Sequence, residues 1–340
     1  MNFTFLICSE RSGSNLITKI FDNHPNYCGP GPTHLFRILL ENRLRYGNLN
    51  QPENWQALLQ DTLVLFNTKL GDWVTNWTLE QLKDRVQERS LSALLKEIYA
   101  AEAAHQNKTG IFLKENHTYR FAPFILAHFP QAQFIYLVRD PRDMALSWKL
   151  SPSLRGGVMR AAKVWAEDQA ATLNLITQLE FEEKLALVRY EDLLQNHETE
   201  LASLCQFLAI PFVETMLNFG HKPLTKQNAQ GIADWKNLQN PLMTNNLKKY
   251  KDHLSKAEIQ YIESICQVPM TLLGYPTEFG TYPSLSELEA ELSPHERYEK
   301  PAYQNLPFSE RQLREQRKQV LNSIQTRPIQ PVYSQIYKVL

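Results

Sequence analysis

Short, almost unbroken apolar runs recur along the chain at residues 3–7 (Phe-Thr-Phe-Leu-Ile), 111–113, 134–138 and 185–188. Patterns with apolar residues one helical turn apart lie between them. Runs this short, with no polar alternation, predict strands covered on both faces. Their interleaving with helices predicts an α/β fold, a parallel sheet flanked by helices on both faces. Each run ends in a polar cluster: Glu10-Arg11-Ser12, Lys114-Glu115-Asn116-His117, Arg139-Asp140 and Arg189-Tyr190-Glu191-Asp192. Ligands of such sheets bind beyond the carboxyl ends of the strands, so four clusters at four strand ends predict one shared site.

A long, mainly helical insertion, about residues 33–104, separates the first two strands and carries Trp55, Trp73 and Trp77. It is read as a pocket wall or lid, or else as aromatic packing of a helical layer. Residues 158–179 and 193–208 read as packing helices. After Gly274-Tyr275-Pro276 the composition shifts to Pro, Glu, Gln and Arg, with one amphipathic helix expected near 309–324 around Leu313, Val320 and Leu321. The expected organisation is a main domain over 1–275 and a C-terminal helical extension over 276–340, docked on the core or used for self-association and carrying no chemistry.

Composition narrows the function. Lys and Arg together number 36, equal to Asp and Glu, so no global positive field points to nucleic acid or an anionic membrane. Any anion site must be local. Cys8, Cys28, Cys205 and Cys266 are scattered without metal-ligand spacing, which suits buried thiols in a reducing compartment. With no long apolar segment and no basic leader, the chain reads as cytoplasmic.

Residues 8–16, Cys-Ser-Glu-Arg-Ser-Gly-Ser-Asn-Leu, join the first strand to a helix. A helix N-terminus directs unpaired N–H groups at whatever lies above it and favours an anion. Gly13 lets the backbone bend closely around a ligand, Ser12 and Ser14 supply hydroxyls, and Arg11 adds a fixed cationic fork. The loop lacks the G-x-x-x-x-G-K-[ST] spacing of a nucleotide triphosphate loop, and small-residue turns also serve as plain strand–helix connections. After the third strand, Asp140, Pro141 and Asp143 make a well-formed helix start, with Asp140 as cap and Asp143 in the capping-box position. That does not account for Arg139, because a helix N-terminus favours acids over bases. Arg139 is therefore expected to bind an anion, with Ser147 two turns along as a hydroxyl donor.

The segments Arg11-Ser12-Gly13-Ser14-Asn15-Leu16 and Tyr136-Leu137-Val138-Arg139-Asp140-Pro141-Arg142-Asp143 with Ser147 resemble the paired signature of the PAPS-dependent sulfotransferases, bacterial type. Val188-Arg189-Tyr190-Glu191-Asp192-Leu193-Leu194, followed by Phe207-Leu208, resembles that family's third segment. The resemblance covers roughly residues 2–275. It implies a P-loop NTPase-like sulfotransferase fold and a donor, 3′-phosphoadenosine 5′-phosphosulfate (PAPS), with no metal. Arg11, Ser12, Gly13, Ser14 and Asn15 would hold the 5′-phosphosulfate, Arg139 and Ser147 the 3′-phosphate, and Tyr190 would lie near the adenine. Asn15 stands where the family more often has Thr. Vertebrate-type cytosolic members carry Lys in place of Arg11 and a late Arg-Lys-Gly segment that is absent here; Lys236 is its nearest substitute, set against a solvated surface Lys.

For catalysis the resemblance implies Lys114 at the end of the second strand, acting with Arg11 on developing charge. His34, in Gly29-Pro30-Gly31-Pro32-Thr33-His34-Leu35-Phe36, lies where related bacterial enzymes place a catalytic Glu, and is ranked first as base. His117, offset by one residue from the Lys-Thr-His pattern so that Asn116 is the formal match, ranks second, with Glu115 beside it. The expected reaction is in-line sulfuryl transfer to a hydroxyl or amine of a small-molecule or carbohydrate acceptor, in a monomer or homo-oligomer. A P-loop-like kinase is the competing enzyme class, and a non-catalytic 3′,5′-ADP-binding protein on the same scaffold is the third reading.

Overall fold

A computed structural model of the chain describes residues 1–179, 181–296 and 306–330. Its strands are β1 (Asn2–Ile7), β2 (Tyr27–Cys28), β3 (Gly110–Lys114), β4 (Gln133–Val138) and β5 (Leu185–Arg189). They form one all-parallel sheet in the order β2-β3-β1-β4-β5. The four apolar runs are four of these strands. The fifth, β2, is only two residues long, too short to leave a hydrophobic pattern.

Helix α1 (Ser14–Asp22) follows β1. The insertion supplies α2 (Leu35–Glu41), α3 (Pro52–Asn67), α4 (Leu79–Arg85) and α5 (Leu91–His105). Next come α6 (Ala122–His128) before β4, then α7 (Pro141–Lys149) and α8 (Gly157–Leu179) before β5. After β5 follow α9 (Tyr190–Gln195), α10 (His197–Phe207), α11 (Pro223–Gly231), α12 (Tyr250–His253), α13 (Lys256–Leu272), α14 (Leu285–Leu292) and α15 (Phe308–Thr326).

Successive strand residues point to opposite faces, and both faces are apolar and covered. Phe3, Phe5, Ile7, Phe134 and Tyr136 pack into one layer with α2, α3, α5, α7, α8 and α13. Leu6, Cys8, Phe112, Ile135 and Leu137 pack into the other with α1, α9 and α10. The strand pattern lacks polar alternation because the central strands are covered on both faces, while the edge strand β5 keeps Leu187 exposed. Trp55, Trp73 and Trp77 are buried in the first layer, so packing describes them better than a lid.

Strand β1 lies between β3 and β4, and the chain leaves it toward β2 and β3 before crossing back to β4. The loops after β1 and β4 therefore diverge, α1 onto one face and α7 onto the other. That divergence opens a crevice at the carboxyl ends of the central strands, the place where ligands of open α/β sheets bind.

Beyond residue 275 lie α14 and α15, the second matching the helix expected near 309–324. Helix α15 packs on α3 and buries Ile324, with Val320 and Leu321 partly covered. The rest of the extension, 297–305 and 331–340, lies outside the described residues. Among the described residues no helix is long and apolar enough to cross a membrane. All four cysteines are buried and free.

Candidate active site

The loop after β1 turns sharply. Arg11 has φ +66° and Gly13 φ +92°, the left-handed region that glycine enters without steric cost. Gly13 caps α1 without a side-chain acceptor, leaving the N–H groups of the first turn open. The Arg11 guanidinium reaches across the crevice, donating from Nε to Ser147 Oγ at 3.1 Å and from an Nη to Asp234 Oδ1 at 2.9 Å. From the neighbouring strand end, Arg139 donates to the Arg11 carbonyl at 3.0 Å. The indole of Trp165 in α8 fixes Arg139 in turn, donating to its carbonyl at 3.0 Å.

Tyr190, the first residue of α9, places its ring 4.4 Å from the Arg139 guanidinium, a cation–π contact. Its hydroxyl is held at 2.8 Å by Asn246. Two polar atoms here are buried without a partner, Ser12 Oγ and Arg139 Nε. Buried polar atoms are almost always paired, so these two orphans beside the crevice depart from ordinary packing. A cavity of about 170 Å³ opens beside them, lined by Arg11, Gly13, Ser14, Asn15, Arg139 and Tyr190 among others. A second, of about 470 Å³, shares Arg11, Arg139 and Ser147 with it and extends to Lys236 and Lys249. All the residues expected to hold an anionic nucleotide thus lie at one crevice, Ser12 beneath its surface and the rest in the cavity wall.

Asp143 departs from its expected role. Asp140 caps α7 through the Arg142 N–H at 2.9 Å, but Asp143 closes no capping box. Its carboxylate instead accepts from the Lys248 and Tyr250 N–H groups at 2.7 and 3.0 Å. That tethers the segment bearing Asn246 and Lys249 to the crevice, a long-range contact with no local sequence signal.

A second cluster surrounds the turn before α2. His34 has φ +58°, and its Nδ1 lies 3.9 Å from Glu115 Oε2. The other Glu115 oxygen accepts from Tyr99 at 2.9 Å and from Thr33 at 3.2 Å. Burial first, then the neighbouring basic side chains of Lys114, Arg317, Arg37 and His117, hold the His34 imidazole well below its ordinary 6.5. Burial raises Glu115 above 4.5, opposed by those two hydroxyls and by Arg37 and Lys114. Lys114 ends β3 opposite Leu6 in the ladder. His117 Nδ1 lies 3.6 Å from Asp168 and 3.3 Å from the Tyr119 hydroxyl, and that hydroxyl donates to Asp168 at 2.8 Å. Asn116 turns away to donate to Glu10 at 2.5 Å. Cys8, at the end of β1, is pushed up to about 12 by burial, so it stays a thiol.

Two contributors carry no readable sequence signal. Asp234 accepts from Ser151 at 3.1 Å and Ser153 at 2.7 Å as well as from Arg11. Burial pushes its carboxyl up, but Arg11 and the two hydroxyls outweigh that and hold it below 3.8. Arg317 comes from α15, in the extension expected to carry no chemistry. It donates to the carbonyl of Thr33 and, at 2.6 Å, to that of Leu65. Among the described residues no group of three or more His, Cys, Asp or Glu side chains is placed to hold a metal ion.

The sequence pattern of the sulfotransferase family matches residues 4–214, more than half of the chain, and the protein belongs to that family. The fold is similar to that of the sulfotransferase domain from the Synechococcus PCC 7002 olefin synthase: 21% identity, 78% of this chain and 94% of that one covered, TM-score 0.49. The sulfotransferase domain from the curacin biosynthetic pathway is 18% identical over 88% of this chain and 98% of its own, with TM-score 0.43. Retinol dehydratase, solved with androsterone and the inactive cofactor PAP, is 14% identical over 83% of this chain and 82% of its own, with TM-score 0.39. No curated protein matches the chain's sequence.

Proposed function

We propose that the protein transfers the sulfuryl group of PAPS to a hydroxyl or amine of a small-molecule or carbohydrate acceptor. One observation carries this reading: Arg11 and Arg139, from the ends of adjacent strands, converge with Ser147 at the open N-terminus of α1. The residues present fit a nucleotide with two separate anionic groups. The turn of Arg11, Ser12, Gly13, Ser14 and Asn15 takes the 5′-phosphosulfate, while Arg139 and Ser147 take the 3′-phosphate. Tyr190, fixed by Arg139 and Asn246, supplies an apolar face for the adenine. PAPS supplies an activated sulfuryl group whose bond to the bridging oxygen breaks as the acceptor bonds to sulfur.

The chain's own part is positioning and charge. Arg11, Lys114 and the first-turn N–H groups oppose the negative charge that grows on the bridging oxygen, an electrostatic role of the oxyanion-hole kind. His34, held neutral at neutral pH by its surroundings, takes the acceptor's proton. His117, with Asp168 behind it, ranks second. Asp234 stands on Arg11 as a carboxylate where an anionic group of the donor binds, so donor entry exchanges one anion for another. Mass spectrometry of an acceptor library incubated with PAPS and the protein tests the reading. A gain of one sulfuryl group, lost in Arg11→Ala, is the expected result; transfer that persists undiminished in Arg11→Ala overturns the assignment.

A further inference from the structure

We infer that Glu115 is a positioning residue that fixes His34 as its Nδ1–H tautomer and leaves Nε2 to receive the proton, on a platform locked by Arg317. The inference rests on His34 as the base of the proposed reaction. His34 Nδ1 and Glu115 Oε2 are both buried without a hydrogen bond and face each other at 3.9 Å. A proton on Nδ1 faces the Oε2 oxygen at 3.9 Å, a charge–dipole contact longer than a hydrogen bond, whereas a proton on Nε2 would turn two lone pairs toward each other there. The partner of one ring nitrogen decides which nitrogen is protonated. The His34 side chain keeps 21% of its surface exposed although Nδ1 is buried, so its accessible surface belongs to atoms other than Nδ1.

Glu115 is not free to turn. Its Oε1 is held by the Tyr99 and Thr33 hydroxyls, which also contact each other at 2.6 Å. Thr33 precedes His34, so one carboxylate orients both the imidazole and the turn that presents it. The Thr33 hydroxyl accepts from the Leu35 N–H at 3.2 Å, and Arg317 donates to the Thr33 carbonyl from the far end of the chain. The basic groups facing the pair are Lys114 from β3, Arg37 from α2, Arg317 from α15 and the imidazole of His117 beyond β3. Burial raises Glu115, and Arg37 and Lys114 act against that rise, toward the carboxylate. When the acceptor's proton reaches Nε2, the Nδ1–H already in place directs the imidazolium charge at that carboxylate.

Nitrogen-15 NMR of the full chain labelled at histidine reads the tautomer, with the His34 signals identified by their loss in His34→Gln. The expected wild-type result at neutral pH is a protonated Nδ1 and a bare Nε2. In Glu115→Gln the hydroxyls keep the carbonyl oxygen at the Oε1 position and the amide nitrogen takes the place of Oε2. It then donates to Nδ1, and the tautomer inverts. An Nε2–H wild type, or an unchanged tautomer in Glu115→Gln, overturns the inference; if that variant does not fold, the wild-type spectrum decides. Calorimetry with 3′,5′-ADP on the same wild-type sample separates the two levels: absent binding refutes the donor assignment and leaves the tautomer result standing by itself.

Discussion

Replacing Gly13 by Ala tests whether the loop after β1 and the ring of Tyr190 form one unit. A methyl group built on Gly13 lies 2.4 Å from Cδ2 and 2.5 Å from Cε2 of Tyr190, against about 3.5–4 Å for an unstrained contact. The ring would have to retreat by more than an ångström, yet it is pinned by Arg139 on its face and Asn246 at its hydroxyl. Overpacking of this kind costs about 1–3 kcal/mol. The positive φ adds about 1 kcal/mol for a residue with a Cβ. A combined loss of about 3 kcal/mol lowers the melting temperature of a 340-residue chain by about 4 °C. Displacing Tyr190 also moves Arg139, so 3′,5′-ADP affinity falls at least about tenfold, or 1.4 kcal/mol. Thermal denaturation and calorimetry read both effects. Gly231→Ala is the control, because nothing lies within 4 Å of an added Cβ there. A Gly13→Ala protein that melts and binds like wild type would refute the reasoning.

Arg11→Ala is expected to lower turnover by about 10²-fold, as for loss of an oxyanion donor, whereas Arg139→Ala mainly weakens donor binding; equal loss of turnover at saturating donor contradicts that division. Asp234→Asn removes a carboxylate from the anion site. Donor affinity measured by calorimetry should rise about tenfold, since two anions sharing one guanidinium repel each other; weaker binding would make Asp234 a support for Arg11 instead. The acid limb of the turnover rate should fall below pH 6.5, because burial and four neighbouring basic groups depress His34, and a limb above 6.5 would exclude His34 as the base. Burial raises Asp22, but Lys19, Lys222 and the Gly29 N–H outweigh it and hold its carboxyl below 3.8. Its folded value is thus lower than its unfolded one, so its stabilising effect is complete above about pH 4 and fades as the pH falls through the folded value. The melting gap between wild type and Asp22→Asn should therefore close on acidification, and a gap that widens contradicts this.

Much of the fold was readable because burial on two faces writes itself into local composition. The runs at 3–7, 111–113, 134–138 and 185–188 are strands, and the polar clusters behind them do line up along one edge of the sheet. Arg139 stood out because a cation at a helix N-terminus contradicts the helix's own electrostatics, and its Nε is left without a partner inside the fold. What stayed hidden depends on pairs distant in sequence. Asp234 meets Arg11 across 223 positions, and Arg317 meets Thr33 across 284. An acid in a short 3₁₀ helix and an Arg on an amphipathic helix look like solvated surface until the chain folds them inward. Asp143 shows the same limit in reverse: its place in a helix start suggested a local cap, while the backbone at Lys248 and Tyr250 offered it better donors.

The most direct test of the account is calorimetry of the wild-type protein with 3′,5′-ADP and, separately, with 5′-AMP. If Arg139 with Ser147 and the turn from Arg11 to Asn15 take separate phosphates, as proposed, the nucleotide with both should bind with a dissociation constant of about 1 μM, or 8 kcal/mol. Removing the 3′-phosphate should weaken binding by about 10²-fold, the contribution of a charge-assisted pair. Equal affinity for the two nucleotides would contradict the claim that this crevice selects its donor by a 3′-phosphate.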